Sequence, residues 1–215
     1  MPKTIVFANG QPTADLSEIK DLVAPDDTII CADGGTQYAL AAGLMPQLIV
    51  GDLDSLSPAV QAEMRAEGVE IQVHPVKKDQ TDLELALTVA VERGAKEILL
   101  LTALGGRLDQ LLANILLLTR PEWAGVRLSL AEGRQRAWLL RGPDELVLAG
   151  RPNDTLSLLP LTATVTGLDL EQVAWPLADE TITFGTTLTI SNSFLGSQAR
   201  VSLQTGLMLV VHIRA

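Results

Sequence analysis

The apolar pattern of this chain changes period once, near residue 125, and that change limits the fold more than any single motif does. Before it, short apolar runs at residues 4–8, 28–32, 48–50, 69–73 and 97–101 alternate with stretches of helical period, as in 16–23, 36–42, 58–67 and 111–118. Such alternation is the signature of βαβ units in a largely parallel sheet. Beyond it no helical period is convincing. Strand-like stretches follow at 127–130, 135–140, 145–148, 155–158, 162–165, 187–190, 201–203 and 207–213, rich in threonine and separated by turns. That pattern predicts an antiparallel sandwich or barrel. The chain is therefore expected to form an α/β N-terminal domain, residues 1–125, followed by an all-β sandwich C-terminal domain, residues 126–215, packed directly with no low-complexity linker.

Charge narrows the function. With 26 acidic residues against 16 basic ones the net charge is -10, which repels a nucleic-acid backbone, so no DNA or RNA partner is expected. A nucleotide remains possible, because a small basic pocket with a divalent cation neutralises a triphosphate locally. The single cysteine, Cys31, lies in an apolar run and reads as a core thiol. The opening run at 4–8 is shorter than the apolar region of a signal peptide, and no run reaches the roughly 18 apolar residues that span a bilayer. A cytoplasmic protein without membrane contact is expected.

Two acidic loops carry the chemistry. Gly51-Asp52-Leu53-Asp54-Ser55 and Asp79-Gln80-Thr81-Asp82 each hold two carboxylates beside short apolar runs, a way to hold a hard, oxygen-seeking cation. Alone, Gly-Asp-x-Asp-Ser is more often a turn than a site. Thr81, with Glu84 three residues on, can also be a helix cap. Leu83, Ala86, Leu87 and Ala90 share one helical face, which leaves Asp82 in the exposed first turn, near the sheet edge where open α/β proteins place ligands. Asp33-Gly34-Gly35 stands between a strand and a helix, where glycine permits close approach and a helix start favours an anion. A tight strand-to-helix turn needs the same residues. Gly105-Gly106-Arg107 occupies a similar position, and its guanidinium is a plausible phosphate clamp or a solvated surface charge.

Together these stretches resemble the thiamin pyrophosphokinase family. Ala32-Asp33-Gly34-Gly35, the two acidic loops, Gly105-Gly106-Arg107-Leu108-Asp109-Gln110, Trp175-Pro176-Leu177, Phe184-Gly185 and Ser191-Asn192 follow in the family's order over nearly the whole chain. The resemblance implies a Rossmann-like parallel sheet, then a β-sandwich that binds thiamin and dimerises. It also implies a homodimer with active sites between subunits, and transfer of a pyrophosphoryl group from ATP to thiamin with Mg2+. By resemblance, Asp52, Asp54, Asp79 and Asp82 form the catalytic acidic site, with Asp52, Asp54 and Asp79 as metal ligands. Asp33, Gly34, Gly35, Arg107 and Asp109 lie around the nucleotide, while Thr81, Trp175, Ser191 and Asn192 bind substrate. An indole suits the thiazolium cation, and an asparagine amide can both donate to and accept from an aminopyrimidine. Asp79 or Asp82 is the candidate general base.

Two features stand outside that pattern. Gln110 occupies a position where many bacterial members carry histidine, and Trp123 and Trp138 match no motif and are assigned to packing. The alternatives are another metal-dependent phosphotransferase or phosphohydrolase on the same loops, and a non-catalytic thiamin- or nucleotide-binding sensor. A neutral substrate has no need of Trp175, and a sensor has no need of all four acids with Arg107.

Overall fold

Continuous apolar runs become strands buried on both faces, as a parallel sheet covered by helices requires. The computed structural model describes residues 2–12 and 15–215. Its first compact unit ends at Gly133. Here β1 (Thr4–Phe7), β2 (Thr28–Ala32), α1 (Gly35–Ala41), β3 (Leu48–Gly51), α2 (Pro58–Ala66), β4 (Glu70–Val73), α3 (Asp82–Glu92), β5 (Glu97–Leu101), α4 (Leu108–Leu117) and β6 (Arg127–Glu132) follow one another. The strands lie in the order β6-β5-β1-β2-β3-β4, and every neighbouring pair is parallel. From β1 the chain builds outward to β4, then returns to β1's other side with β5. That reversal opens a crevice beyond the strands' C-terminal ends.

The helices bury the faces the sequence offers. In α3, Leu83, Ala86, Leu87 and Ala90 are buried, and the helix packs over β1, β2 and β3. The Thr81 hydroxyl caps it, accepting from the Glu84 N–H at 3.2 Å. Two local expectations change. The helical period at 16–23 is met by a helix at Leu16–Leu22, but a 3-10 one, with no fully buried residue to hold an apolar face; Pro25 just beyond disfavours helical backbone at Ala24. Helix α4 begins at Leu108 rather than 111, so Arg107 becomes its N-cap residue.

The boundary expected near 125 falls later, because Arg127–Glu132 pairs in parallel with β5 and belongs to the first unit. Strand-like composition at 127–130 does not distinguish a sixth parallel strand from the start of a β domain.

The second unit, Arg134 to Ala215, is antiparallel and sandwich-like. It contains β7 (Gln135–Arg141), β8 (Asp144–Ala149), β9 (Thr155–Pro160), β10 (Thr164–Glu171), β11 (Leu177–Thr183), β12 (Asn192–Ser193), β13 (Gln198–Leu203) and β14 (Leu207–Ile213). One sheet runs β12-β9-β14-β7 and the other β11-β10-β13-β8. Leu156, Leu158, Met208 and Val210 of the first meet Leu168, Leu170, Val201 and Leu203 of the second in one core. Residues 168–173 give no strand signal in sequence, yet most of them continue β10. The register shifts between Val165 and Leu168, around Gly167, and that bulge breaks the two-residue alternation. The strand expected at 187–190 is absent. Those residues form a turn, fastened where the Thr189 hydroxyl donates to Leu158 O at 2.6 Å.

Candidate functional site

Three non-glycine residues stand in left-handed backbone just past the C-terminal ends of three strands of this sheet. They are Asp33 (φ 42°) after β2, Leu53 (φ 66°) after β3 and Thr102 (φ 53°) after β5. Each such conformation costs about 1–3 kcal/mol and persists only where the surroundings dictate it. Here they do: Asp33 N–H donates to Val50 O at 2.9 Å, and the Thr102 hydroxyl donates to Ala8 O at 2.7 Å. At the crevice beside β1 the first unit has a cleft of about 520 Å³, lined by Asp33 and by the neighbours of the other two bends, Asp52, Asp54 and Ala103.

On one wall of this cleft the carboxylates of Asp33, Asp52 and Asp82 come within 4.8 Å of one another. Gly51 makes the approach possible, since a Cβ there would meet Asp33 Cβ at 2.8 Å and Asp82 Oδ1 at 3.1 Å. Asp33 is 3% exposed, and its Oδ1 is buried without a hydrogen-bond partner among the described residues. Burial raises its carboxyl above the usual range, against hydrogen bonds from Ser55 and Gly34, and the charges of Asp82 and Asp54 add to the rise. The Lys78 ammonium stands 3.1 Å from Asp52 Oδ2 and 3.0 Å from Asp82 Oδ1. Burial opposes the Asp52 charge, but the hydrogen bonds from Lys78 and the Asp54 N–H outweigh it and hold that carboxyl low. A buried, unpaired carboxylate oxygen beside two further acids is a donor set for a hard divalent cation.

The residues named from sequence separate clearly. Asp33, Asp52, Asp54, Thr81, Asp82 and Arg107 line the cleft. Asp54 holds its loop by accepting from the Ser55 hydroxyl at 3.1 Å, while Asn9 Nδ2 donates to Ser55 Oγ at 3.3 Å. Asp79 is exposed, outside both the cleft lining and the carboxylate cluster, and Asp33 stands in the cluster instead. Gly34 and Gly35 do not line the cleft; Gly35 packs against β1, where a Cβ would meet Phe7 O at 2.3 Å. Gly35 thus answers to strand–helix packing, whereas a Cβ on Gly34 would meet the amide of Asn9, a cleft residue, at 2.5 Å. Arg107 reaches the cleft and pairs with Asp109 through two hydrogen bonds, from Nε at 3.1 Å and from a terminal nitrogen at 2.5 Å, with both side chains well exposed to water that screens the pair.

The structure adds Asn9, Ser55, Lys78, Gln110 and Asn114 to the cleft. In sequence Asn9 only follows the apolar run at 4–8, and Lys78 only precedes the second acidic loop. The one sequence signal for Lys78 is its position four residues before Asp82, on the same approach to α3.

In the second unit Trp175 is 66% exposed. Its backbone is clamped by Asn192, whose Oδ1 accepts from Trp175 N–H at 3.1 Å and whose Nδ2 donates to Trp175 O at 2.7 Å. The Asn192 amide is thus engaged and buried, which makes it a holder of Trp175 rather than a free reader of a ligand. Ser191 is exposed in left-handed backbone (φ 62°), with its N–H on Ser157 Oγ at 3.0 Å. Trp123 is buried with Arg120 over its ring, and Trp138 packs on the sandwich core, as expected of packing residues. His212 is also structural: it is buried and meets Asp154 Oδ2 at 2.7 Å.

Comparison with known proteins agrees with this division. The family model for the thiamin pyrophosphokinase catalytic domain matches residues 19–130, and that for the vitamin B1 binding domain of the same enzymes matches 146–208. The curated thiamine pyrophosphokinase of Bacillus subtilis is 29% identical over 210 residues, covering 97% of this chain and 98% of the relative. A crystal structure of the Bacillus subtilis enzyme superposes with a TM-score of 0.87 at 27% identity, over 100% of both chains. One from Geobacillus thermodenitrificans gives 0.85 at 27% identity, over 100% of this chain and 98% of that one. The chain belongs to the thiamin pyrophosphokinase family.

Proposed function

We propose that the first-unit cleft binds ATP with a divalent cation, Mg2+ in the cell, and transfers its pyrophosphoryl group to the thiamin hydroxyl, giving thiamin diphosphate and AMP. The observation that carries this reading is the carboxylate cluster of Asp33, Asp52 and Asp82, with its unpaired buried oxygen, in the cleft of a chain from this family. Asp52 and Asp82, in the cluster with Asp33, would hold the cation, since Mg2+ keeps several waters and takes one or two carboxylates directly. When bound, it neutralises phosphate charge during transfer. Asp79 is exposed outside the cluster, so this reading does not count it among the ligands.

The chain's own residues position the reactants. Arg107, at the cleft and exposed beside Asp109, offers a planar fork to the phosphates. The thiamin hydroxyl attacks the β-phosphorus, AMP leaves, and the hydroxyl proton passes to a carboxylate of this wall. Bringing the hydroxyl into line with the β-phosphorus supplies most of the acceleration in chemistry of this kind.

Trp175 supplies a π-face for the thiazolium ring, held by Asn192, with Ser191 beside it. Its exposure suits an indole offered to the active site of a partner subunit in a homodimer. Among the described residues no helix is long and apolar enough to cross a membrane, consistent with a cytoplasmic location. Incubation with thiamin, ATP and Mg2+ should release AMP and thiamin diphosphate in equal amounts. ATP hydrolysis without thiamin diphosphate would refute the reading and favour a phosphohydrolase.

A further inference from the structure

The carboxylate cluster already has a cation among its own side chains. Lys78 Nζ lies 3.1 Å from Asp52 Oδ2 and 3.0 Å from Asp82 Oδ1, with only 12% of its side chain exposed. Asp82 Oδ1 is otherwise buried without a hydrogen-bond partner among the described residues. One ammonium thus serves two of the three acids that converge within 4.8 Å, and Asp33 Oδ1, next to them, has no hydrogen-bond partner among the described residues. The atoms that Lys78 neutralises are the ones a divalent cation needs.

We propose that Lys78 is a resident counter-ion that competes with the divalent cation for Asp52 and Asp82, and that once displaced it turns to the phosphate chain of ATP. This rests on the reading of the cleft as a metal–ATP site. A dication on those oxygens repels an ammonium at the same place, so both cannot hold the same contacts. Lysine is suited to such an exchange, being a point charge with three donors on a flexible four-carbon stem. Its surroundings permit the movement. Residues 75–77 and 79–81 are exposed, while the loop's ends are fixed by the His74 N–H on Gly51 O at 2.8 Å and by the Thr81 cap of α3. Lys78 lines the same cleft as Arg107, so a turned ammonium remains facing the space where the phosphates bind. Without such a counter-ion the three acids repel one another; with it, cation entry and phosphate neutralisation become one exchange.

The test is Mn2+ binding to the nucleotide-free protein, read from the electron paramagnetic resonance of free Mn2+, for the wild type, Lys78→Met, Lys78→Gln and Lys78→Arg. Removing the competing charge should tighten Mn2+ binding about fivefold or more in both neutral variants, whereas Lys78→Arg stays near the wild type. At saturating Mn2+, binding of α,β-methylene-ATP should weaken about tenfold in the neutral variants and less in Lys78→Arg. A purely structural lysine would leave that second affinity unchanged, and such a result overturns the phosphate role. Mn2+ affinity no tighter in the neutral variants overturns the competition. No measurable Mn2+ binding by any of the four proteins overturns the cation site and this proposal with it. Thiamin diphosphate synthesis by the wild type is assayed separately. Its absence alongside the predicted Mn2+ titrations would reject the function while leaving the exchange intact, and its presence without them would do the reverse.

Discussion

The acidic wall of the first unit and the Trp175 platform of the second are built on opposite plans. The wall is interior: Asp33 is 3% exposed, three residues hold left-handed backbone to shape it, and Lys78 is drawn in to balance its charge. The platform is exterior. Trp175 is 66% exposed, and its definition comes from one buried amide that grips its backbone on both sides. Charge chemistry needs fixed carboxylates shielded from water, because interactions strengthen as water is excluded. A stacking surface needs only a fixed plane, and remains open until something covers it. Changes in the wall should therefore strike turnover, and changes in the platform should strike thiamin binding.

The largest effect belongs to the wall. Asp52→Asn, which removes a charge shared with Lys78, should lower turnover about 10³-fold or more while the circular dichroism stays that of the wild type. Asp54→Asn should also lower turnover by orders of magnitude. Near-normal turnover in either would take that acid out of the site. Next comes the platform. Trp175→Ala should raise the thiamin KM about tenfold or more with little change in the ATP KM and none in Tm, since an exposed indole contributes little to the fold. A matching loss for ATP would erase the distinction between the regions.

Asn192→Ala mixes the two readouts. It strips two partners from the Trp175 backbone, so stability should fall by about 1–3 kcal/mol in urea denaturation, with a smaller rise in thiamin KM than Trp175→Ala gives. A rise in KM without any loss of stability would make the amide a direct ligand. The smallest effect is expected at Asp79, exposed outside the cleft: Asp79→Asn should leave kcat/KM within about twofold. A loss as large as that of Asp52→Asn would restore Asp79 to the catalytic set.

How far the sequence led differs between the regions for physical reasons. The parallel sheet was legible because buried strands read as unbroken apolar runs, and α3 because its apolar face repeats at helical spacing. Asp52, Asp54 and Asp82 stood out through the pairing of two acidic loops, each of which alone reads as a turn, and through the order of motifs shared with the family. Asp33 entering the cluster in place of Asp79 was hidden, because neighbours in a loop need not face one way; the left-handed turn at Asp33 directs its carboxylate into the group. The Asn192 clamp was hidden as well, for it joins residues seventeen apart in the chain. In the β unit, a bulge at Gly167 and a turn at 187–190 defeated the alternation on which strand reading depends.

The most direct test of a wall and a platform from different subunits joined in one site is complementation. Asp52→Asn and Trp175→Ala proteins, each nearly inactive at low thiamin, are mixed, allowed to exchange subunits, and assayed for thiamin diphosphate. In a mixed dimer, one site receives an intact wall from one subunit and an intact platform from the other, so activity should return to about a quarter of the wild-type value. No recovery, with subunit exchange confirmed by mass, would show that each chain completes its own site.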